Sequence, residues 1–299
     1  MSLDIRGCGT ALVTPFRKDG SLDLDALRRL VQFQLHVGID FLVPCGTTGE
    51  TPTLEHAEYL AVVRTVVQEV GGKVPVIAGV GGNNTRKVID LAAEVRGLGV
   101  QGILSVAPYY NKPTQEGLYQ HFQALAESTD LPMIVYNVPG RTSCNVEPAT
   151  VARLAKIPNI IGIKEASGSI VQQMEVLAAV PPGFRVLSGD DAFTLPLMAL
   201  GGVGIISVVS NEIPREMSKL AHLLLEGEIA AARQLHFDLL PLMHVNFIET
   251  NPIPVKAALA MMGLIEEVYR LPLVPMKAAN RAKLEKVLAA RGLLQAQKP

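Results

Sequence analysis

Two kinds of segment alternate along the chain. Short runs rich in β-branched and other apolar residues recur at Thr10–Thr14, Asp40–Val43, Val76–Gly79, Gly102–Val106, Met133–Asn137, Ile160–Lys164, Arg185–Ser188 and Gly204–Val208. They are nearly continuous in apolar character, as strands buried on both faces of a parallel sheet are. Between them lie longer segments with helical spacing. Leu24, Leu27, Leu30 and Val31 form one apolar stripe, Leu54, Leu60, Val63, Val66 and Val67 a second, and Val88, Leu91, Ala92 and Val95 a third. Eight strand–helix alternations predict an α/β fold, a (β/α)8 TIM barrel, for which about 250 residues is typical. An open doubly wound sheet usually carries a Gly-rich fingerprint after its first strand, and Gly9-Thr10-Ala11 does not supply one.

Strand candidates end near Leu225. Leu223–Ile248, Ile253–Met262 and Met276–Leu293 read as helices, with Pro252 and Pro254 where a helix would begin. The expected organisation is a catalytic barrel over residues 1–225 and a C-terminal helical bundle over 226–299 packed on it. The stretch Ala192–Asn211 is uncharged and about long enough to cross a bilayer. Pro196, Gly201, Gly202 and Gly204 make it read instead as a short helix, a turn and a buried strand.

Composition narrows the function classes. Of 299 residues 48% are hydrophobic and 18% charged, the balance of a folded chain with a sizeable core. Lys+Arg 27 against Asp+Glu 28 leaves no basic surplus for nucleic acid, and the lack of Trp argues against a base-stacking surface. Cys8, Cys45 and Cys144 form no CxxC, so neither a disulfide framework nor a zinc ribbon is expected. The six histidines form no HxH or HExxH pattern, and no metal centre is expected. Met1-Ser2-Leu3-Asp4-Ile5-Arg6 has no signal-peptide character, which implies a cytoplasmic protein.

In such barrels the chemistry sits at the C-terminal ends of the strands. Lys164 stands there, after Ile160-Ile161-Gly162-Ile163. Burial would favour its free amine as a nucleophile toward carbonyls; the alternative is a buried lysine paired with Glu165. Lys256 is a weaker competitor, at a helix start. Tyr136 ends the neighbouring strand, either as a proton shuttle or as a structural cap. Arg141 follows the turn Pro139-Gly140, where a guanidinium would receive a carboxylate or make a surface ion pair. Gly46-Thr47-Thr48-Gly49 offers hydroxyls and backbone N–H groups to a small anion, or caps a helix by Thr with Glu50 in its first turn. Asp190 and Asp191 offer metal ligands or a base, or cap a helix; with no His nearby, capping is the reading.

Gly46-Thr47-Thr48-Gly49-Glu50, Pro108-Tyr109-Tyr110-Asn111-Lys112-Pro113, Tyr136-Asn137-Val138-Pro139-Gly140-Arg141-Thr142, Ile161-Gly162-Ile163-Lys164-Glu165 and Ser188-Gly189-Asp190-Asp191 occur in this order. Together with Gly201–Ser207 and Asn251–Lys256 they resemble the dihydrodipicolinate synthase family, within the class I aldolase group that includes N-acetylneuraminate lyase. The likeness covers nearly the whole chain. The Pro-Gly-Arg after Tyr136 and the Tyr109-Tyr110 pair favour the synthase over the sialic-acid lyase or a 2-keto-3-deoxy-sugar lyase.

The resemblance implies that Lys164 forms an imine with pyruvate and that its enamine adds to L-aspartate 4-semialdehyde, giving 4-hydroxy-tetrahydrodipicolinate on the diaminopimelate route to lysine. It implies that Thr47 and Thr48 hold the pyruvate carboxylate, that Thr48 and Tyr136 relay protons, and that Tyr110 of an adjacent subunit completes the relay. Arg141 would receive the second carboxylate, and the main-chain oxygens of Gly189 and Ile206 would line the pocket. No cofactor is implied, since the imine is itself the electron sink. The family is usually a homotetramer, a dimer of dimers. Lysine-sensitive relatives carry a carboxylate where this chain has Lys87 and commonly a His where it has Tyr59, which implies weak feedback inhibition here.

Overall fold

The protein is described by a computed structural model over residues 3–294. Its strands are β1 Gly7–Ala11, β2 Phe41–Val43, β3 Ile77–Gly79, β4 Gly102–Val106, β5 Met133–Asn137, β6 Ile160–Glu165, β7 Arg185–Ser188 and β8 Gly204–Ser207. Seven parallel pairings run in the order β2-β1-β8-β7-β6-β5-β4-β3. The two ends of that order meet at the Leu42–Val76 bridge, and the Gly79 N–H donates to Pro44 O at 2.9 Å. The sheet is therefore closed, and no edge is left to cap.

Strand periodicity divides the side chains into two shells. Ala11, Phe41, Val43, Ile77, Leu104, Ile134, Tyr136, Leu187 and Ile206 fill the barrel interior. Their chain neighbours Leu42, Ala78, Ile103, Val135, Val186 and Ile205 face outward, into a core shared with the surrounding helices. That outer core continues into the C-terminal helices through Leu239, Leu242, Leu284 and Leu288. A further apolar cluster joins the helix Ile253–Met261 to the barrel rim through Val255 and Leu259 against Val13, Leu30 and Val208.

Two elements differ from the sequence expectation. The first strand lies three residues earlier than Thr10–Thr14. Its glycines disguise it: a Cβ on Gly9 would stand 2.0 Å from Cε2 of Phe41, so the Phe41 ring occupies the space a side chain would take. The single helix expected over Leu223–Ile248 is two, Pro214–Leu225 and Ile229–Val245, broken at Gly227 in the left-handed conformation (φ +80°). Ala192–Asn211 is a short helix, Thr194–Ala199, followed by β8, as read. Among the described residues no helix is long and apolar enough to cross a membrane.

Candidate active site

Tyr136 and Lys164 are register partners on the adjacent strands β5 and β6. Period two points both inward and sends Asn137 and Glu165, the next residues, outward. This removes the alternative that Lys164 pairs with Glu165. The Glu165 carboxylate accepts from Asn137 Nδ2 (3.0 Å), from the Ser167 N–H (2.6 Å) and from Gln172 Nε2 (3.3 Å). Among the described residues Lys164 has no ion-pair partner, and its Nζ stands 4.3 Å from the centroid of the Tyr136 ring. It is 5% exposed. Burial pushes its amine down to about 8, opposed by the charge of Asp191, with the Arg141 guanidinium adding to the fall.

Lys256, the competing lysine, is committed elsewhere. Its ammonium is fully buried against Glu50, 4.3 Å over the Phe16 ring. Glu50 Oε2 also accepts from the Arg270 N–H at 3.2 Å. Glu50 thus does not sit in a helix first turn, as the capping alternative required. It takes a left-handed backbone (φ 52°) and anchors the Gly46–Glu50 loop to the C-terminal region; a 3₁₀ turn, Thr51–Thr53, follows, and the next α-helix starts only at His56. Thr47–Gly49 is a single 3₁₀ turn, braced by Thr51 Oγ1 donating to Gly46 O (2.9 Å) and Thr14 Oγ1 to Gly49 O (2.7 Å).

A cavity of about 480 Å³ opens over the strand ends. Thr47, Tyr109, Tyr136, Val138, Arg141 and Asn251 contribute to its wall; Lys164, Thr48, Gly189 and Ile206 lie outside that wall. Tyr136 therefore joins the cavity to the amine. Gly189 touches the lysine stem, since a Cβ there would stand 3.0 Å from Lys164 Cε. Ile206 packs in the barrel interior with Tyr136. Burial raises the Tyr136 phenol, opposed by the Arg141 charge and by the Thr47 side chain. Thr47 shares the cavity wall with Tyr136, and Thr48 lies outside it. The Thr48 hydroxyl is buried and accepts from Asn251 Nδ2 at 3.0 Å.

Arg141 lies on the short helix Pro139–Thr142 and donates from Nη2 to Asn251 O at 3.0 Å. Tyr110 is 88% exposed, with φ 74°, and is not brought to the cavity of its own chain. Asp190 caps the turn Asp191–Phe193 through the Ala192 N–H (2.9 Å), as expected. Asp191 does more. It is buried and crosses to β8, accepting from Ser207 Oγ (2.5 Å) and from the Val208 and Val209 N–H groups (3.1 and 3.3 Å). Desolvation raises it to about 6. The sequence carries no local signal for Asn251, whose partners Thr48 and Arg141 are distant in the chain.

Residues 4–291 match the model of the dihydrodipicolinate synthetase family. The chain belongs to that family. The 4-hydroxy-tetrahydrodipicolinate synthase of Koribacter versatilis (strain Ellin345) is 59% identical over 98% of each chain. The dihydrodipicolinate synthase of Thermotoga maritima superposes with a TM-score of 0.95 at 48% identity, covering 97% of this chain and 99% of the other. The chloride-inhibited dihydrodipicolinate synthase of Acinetobacter baumannii, solved with pyruvate, gives 0.96 at 42% identity over 97% and 100%. Lys87 is exposed, whereas Tyr59 is buried and donates its hydroxyl to Gly79 O at 2.9 Å.

Proposed function

We propose that this protein condenses pyruvate with L-aspartate 4-semialdehyde to give 4-hydroxy-tetrahydrodipicolinate, by a Schiff base on Lys164. The observation that carries the reading is an unpaired, buried amine beside an inward tyrosine at the C-terminal strand ends. The neutral amine attacks the pyruvate ketone carbon, and loss of water from the carbinolamine gives the imine. A methyl proton leaves to form the enamine, which adds to the aldehyde carbon while the aldehyde oxygen takes a proton. The amine of the second substrate then closes the ring on the imine carbon and expels Lys164.

Tyr136 is assigned the proton transfers, with Thr47, which lines the same cavity and lowers its phenol, as its hydroxyl partner. Thr48 is assigned to the pyruvate carboxylate, with the main-chain oxygens of Gly189 and Ile206 bounding the reacting centre. Arg141, at the cavity mouth, is assigned the carboxylate of the second substrate, which a guanidinium fork suits.

Tyr110 is assigned to the site of an adjacent subunit. Its 88% exposure and left-handed backbone, sparsely populated for a non-glycine residue, support a role outside its own chain. Exposed Leu271 (79%) and Phe237 (60%) support burial of further apolar surface in a dimer of dimers. A cytoplasmic setting fits three cysteines that are all free and buried.

Substrate choice tests the reading. With pyruvate as donor, turnover with L-aspartate 4-semialdehyde is expected to exceed that with N-acetylmannosamine by at least about a hundredfold in kcat/KM. Equal or better use of the sugar would overturn it in favour of a sugar-acid lyase.

A further inference from the structure

We propose that Asn251 is a positioning residue for both anion-holding side chains of the pocket, its amide orienting the Thr48 hydroxyl and its main-chain oxygen restraining the Arg141 guanidinium. The inference rests on the assignment of Thr48 to the pyruvate carboxylate and of Arg141 to the second carboxylate.

A threonine hydroxyl has one hydrogen to donate and lone pairs to accept with. Asn251 Nδ2 can only donate, and it occupies an acceptor site on Thr48 Oγ1 at 3.0 Å. The Thr48 hydrogen is thereby turned away from Asn251 and left for another acceptor. A carboxylate accepts only, so it needs the hydroxyl in that state. Without the amide, the hydroxyl could also point its hydrogen into the protein.

The same residue acts on Arg141 by a different atom. Arg141 projects, largely exposed, from a four-residue helix. Among the described residues its one hydrogen-bond acceptor is Asn251 O, at 3.0 Å from Nη2. Restricting a flexible guanidinium beforehand reduces the ordering needed when a ligand arrives.

Asn251 is also held at an energetic disadvantage. It is 5% exposed, and its Oδ1 has no partner among the described residues. An apolar side chain of the same size would avoid that unsatisfied oxygen. The amide is therefore poorly explained as packing and well explained as an orienting donor.

The two atoms make separable predictions. Asn251→Leu removes the amide and keeps the main-chain oxygen. It is expected to raise KM for pyruvate about tenfold and leave KM for L-aspartate 4-semialdehyde within about twofold. In a Thr48→Val background the same substitution is expected to change pyruvate KM less than about twofold, since its effect runs through the hydroxyl. Asn251→Asp serves as the second variant should the leucine variant not fold. An ionised carboxylate would draw the Thr48 hydrogen toward itself, so pyruvate KM is expected to rise at least as much. Borohydride reduction of the wild-type enzyme with pyruvate is run alongside. If wild type traps on Lys164 but pyruvate KM stays within twofold in the variant that folds, or if the Asn251 and Thr48 effects multiply independently, this inference is overturned alone. Failure of wild type to trap overturns the assignment of the pocket and this inference with it.

Discussion

At pH 7 an ordinary lysine amine is free in on the order of one molecule in a few thousand. An amine brought down to about 8 is free in about one in ten, a gain of two orders of magnitude in nucleophile before any orientation is counted. Imine formation with pyruvate should therefore rise about tenfold per pH unit below 8 and level off above it, measured by rapid-quench borohydride reduction across pH 6 to 10. A profile still climbing steeply at pH 9.5 would show that burial does not lower the amine. The same shift sets a stability trend. A lysine lowered on folding destabilises the fold in full below the folded value, by on the order of 3 kcal/mol, and the penalty fades as pH rises from about 8 to 10.5. Lys164→Met should accordingly unfold at higher denaturant than wild type at pH 7, with the difference shrinking by pH 10. Lys164 and Tyr136 were legible in the sequence because each falls at or next to the end of a continuous apolar run on neighbouring strands. Which of two adjacent threonines shares the cavity wall with the phenol was not legible, since the 3₁₀ turn Thr47–Gly49 decides it. Asn251 was hidden by distance: its partners lie 203 and 110 residues away.

Among the elements, the Gly46–Glu50 loop depends on a part of the chain that periodicity does not connect to it. Lys256, from the helix Ile253–Met261, reaches Glu50 in a fully buried ion pair. Removing one partner leaves the other charge uncompensated in the interior. Lys256→Met should destabilise the protein by about 3–5 kcal/mol in equilibrium denaturation, and adding Glu50→Gln should recover a large part of that loss. A Lys256→Met variant as stable as wild type would show that the pair does not hold the loop. Strands buried on both faces, such as β4 and β5, could be read to their last residue because a parallel barrel demands unbroken apolar runs there. The first strand could not, since Phe41 supplies the bulk that Gly9 lacks. The break at Gly227 was likewise invisible to helical periodicity, which continues on both sides of it.

On the scale of the whole molecule, the proposed site draws Lys164, Tyr136 and Thr47 from one chain, while Tyr110 is exposed. A site completed by a second subunit can be tested by mixing defective chains. Tyr110→Phe and Lys164→Ala are each expected to lose at least about a hundredfold in kcat. Subunit exchange at equal concentrations should restore about a quarter of wild-type activity, because half the dimers are mixed and each holds one intact site of two. A mixture no more active than its parts would place Tyr110 outside the reaction. Beneath all three scales stands the claim that the Lys164 amine is the nucleophile. Its most direct test is sodium borohydride reduction of the enzyme with pyruvate, followed by peptide mass mapping. The account predicts one stoichiometric adduct, on Lys164, and none in Lys164→Arg. An adduct on Lys256, or no covalent pyruvate at all, would contradict it.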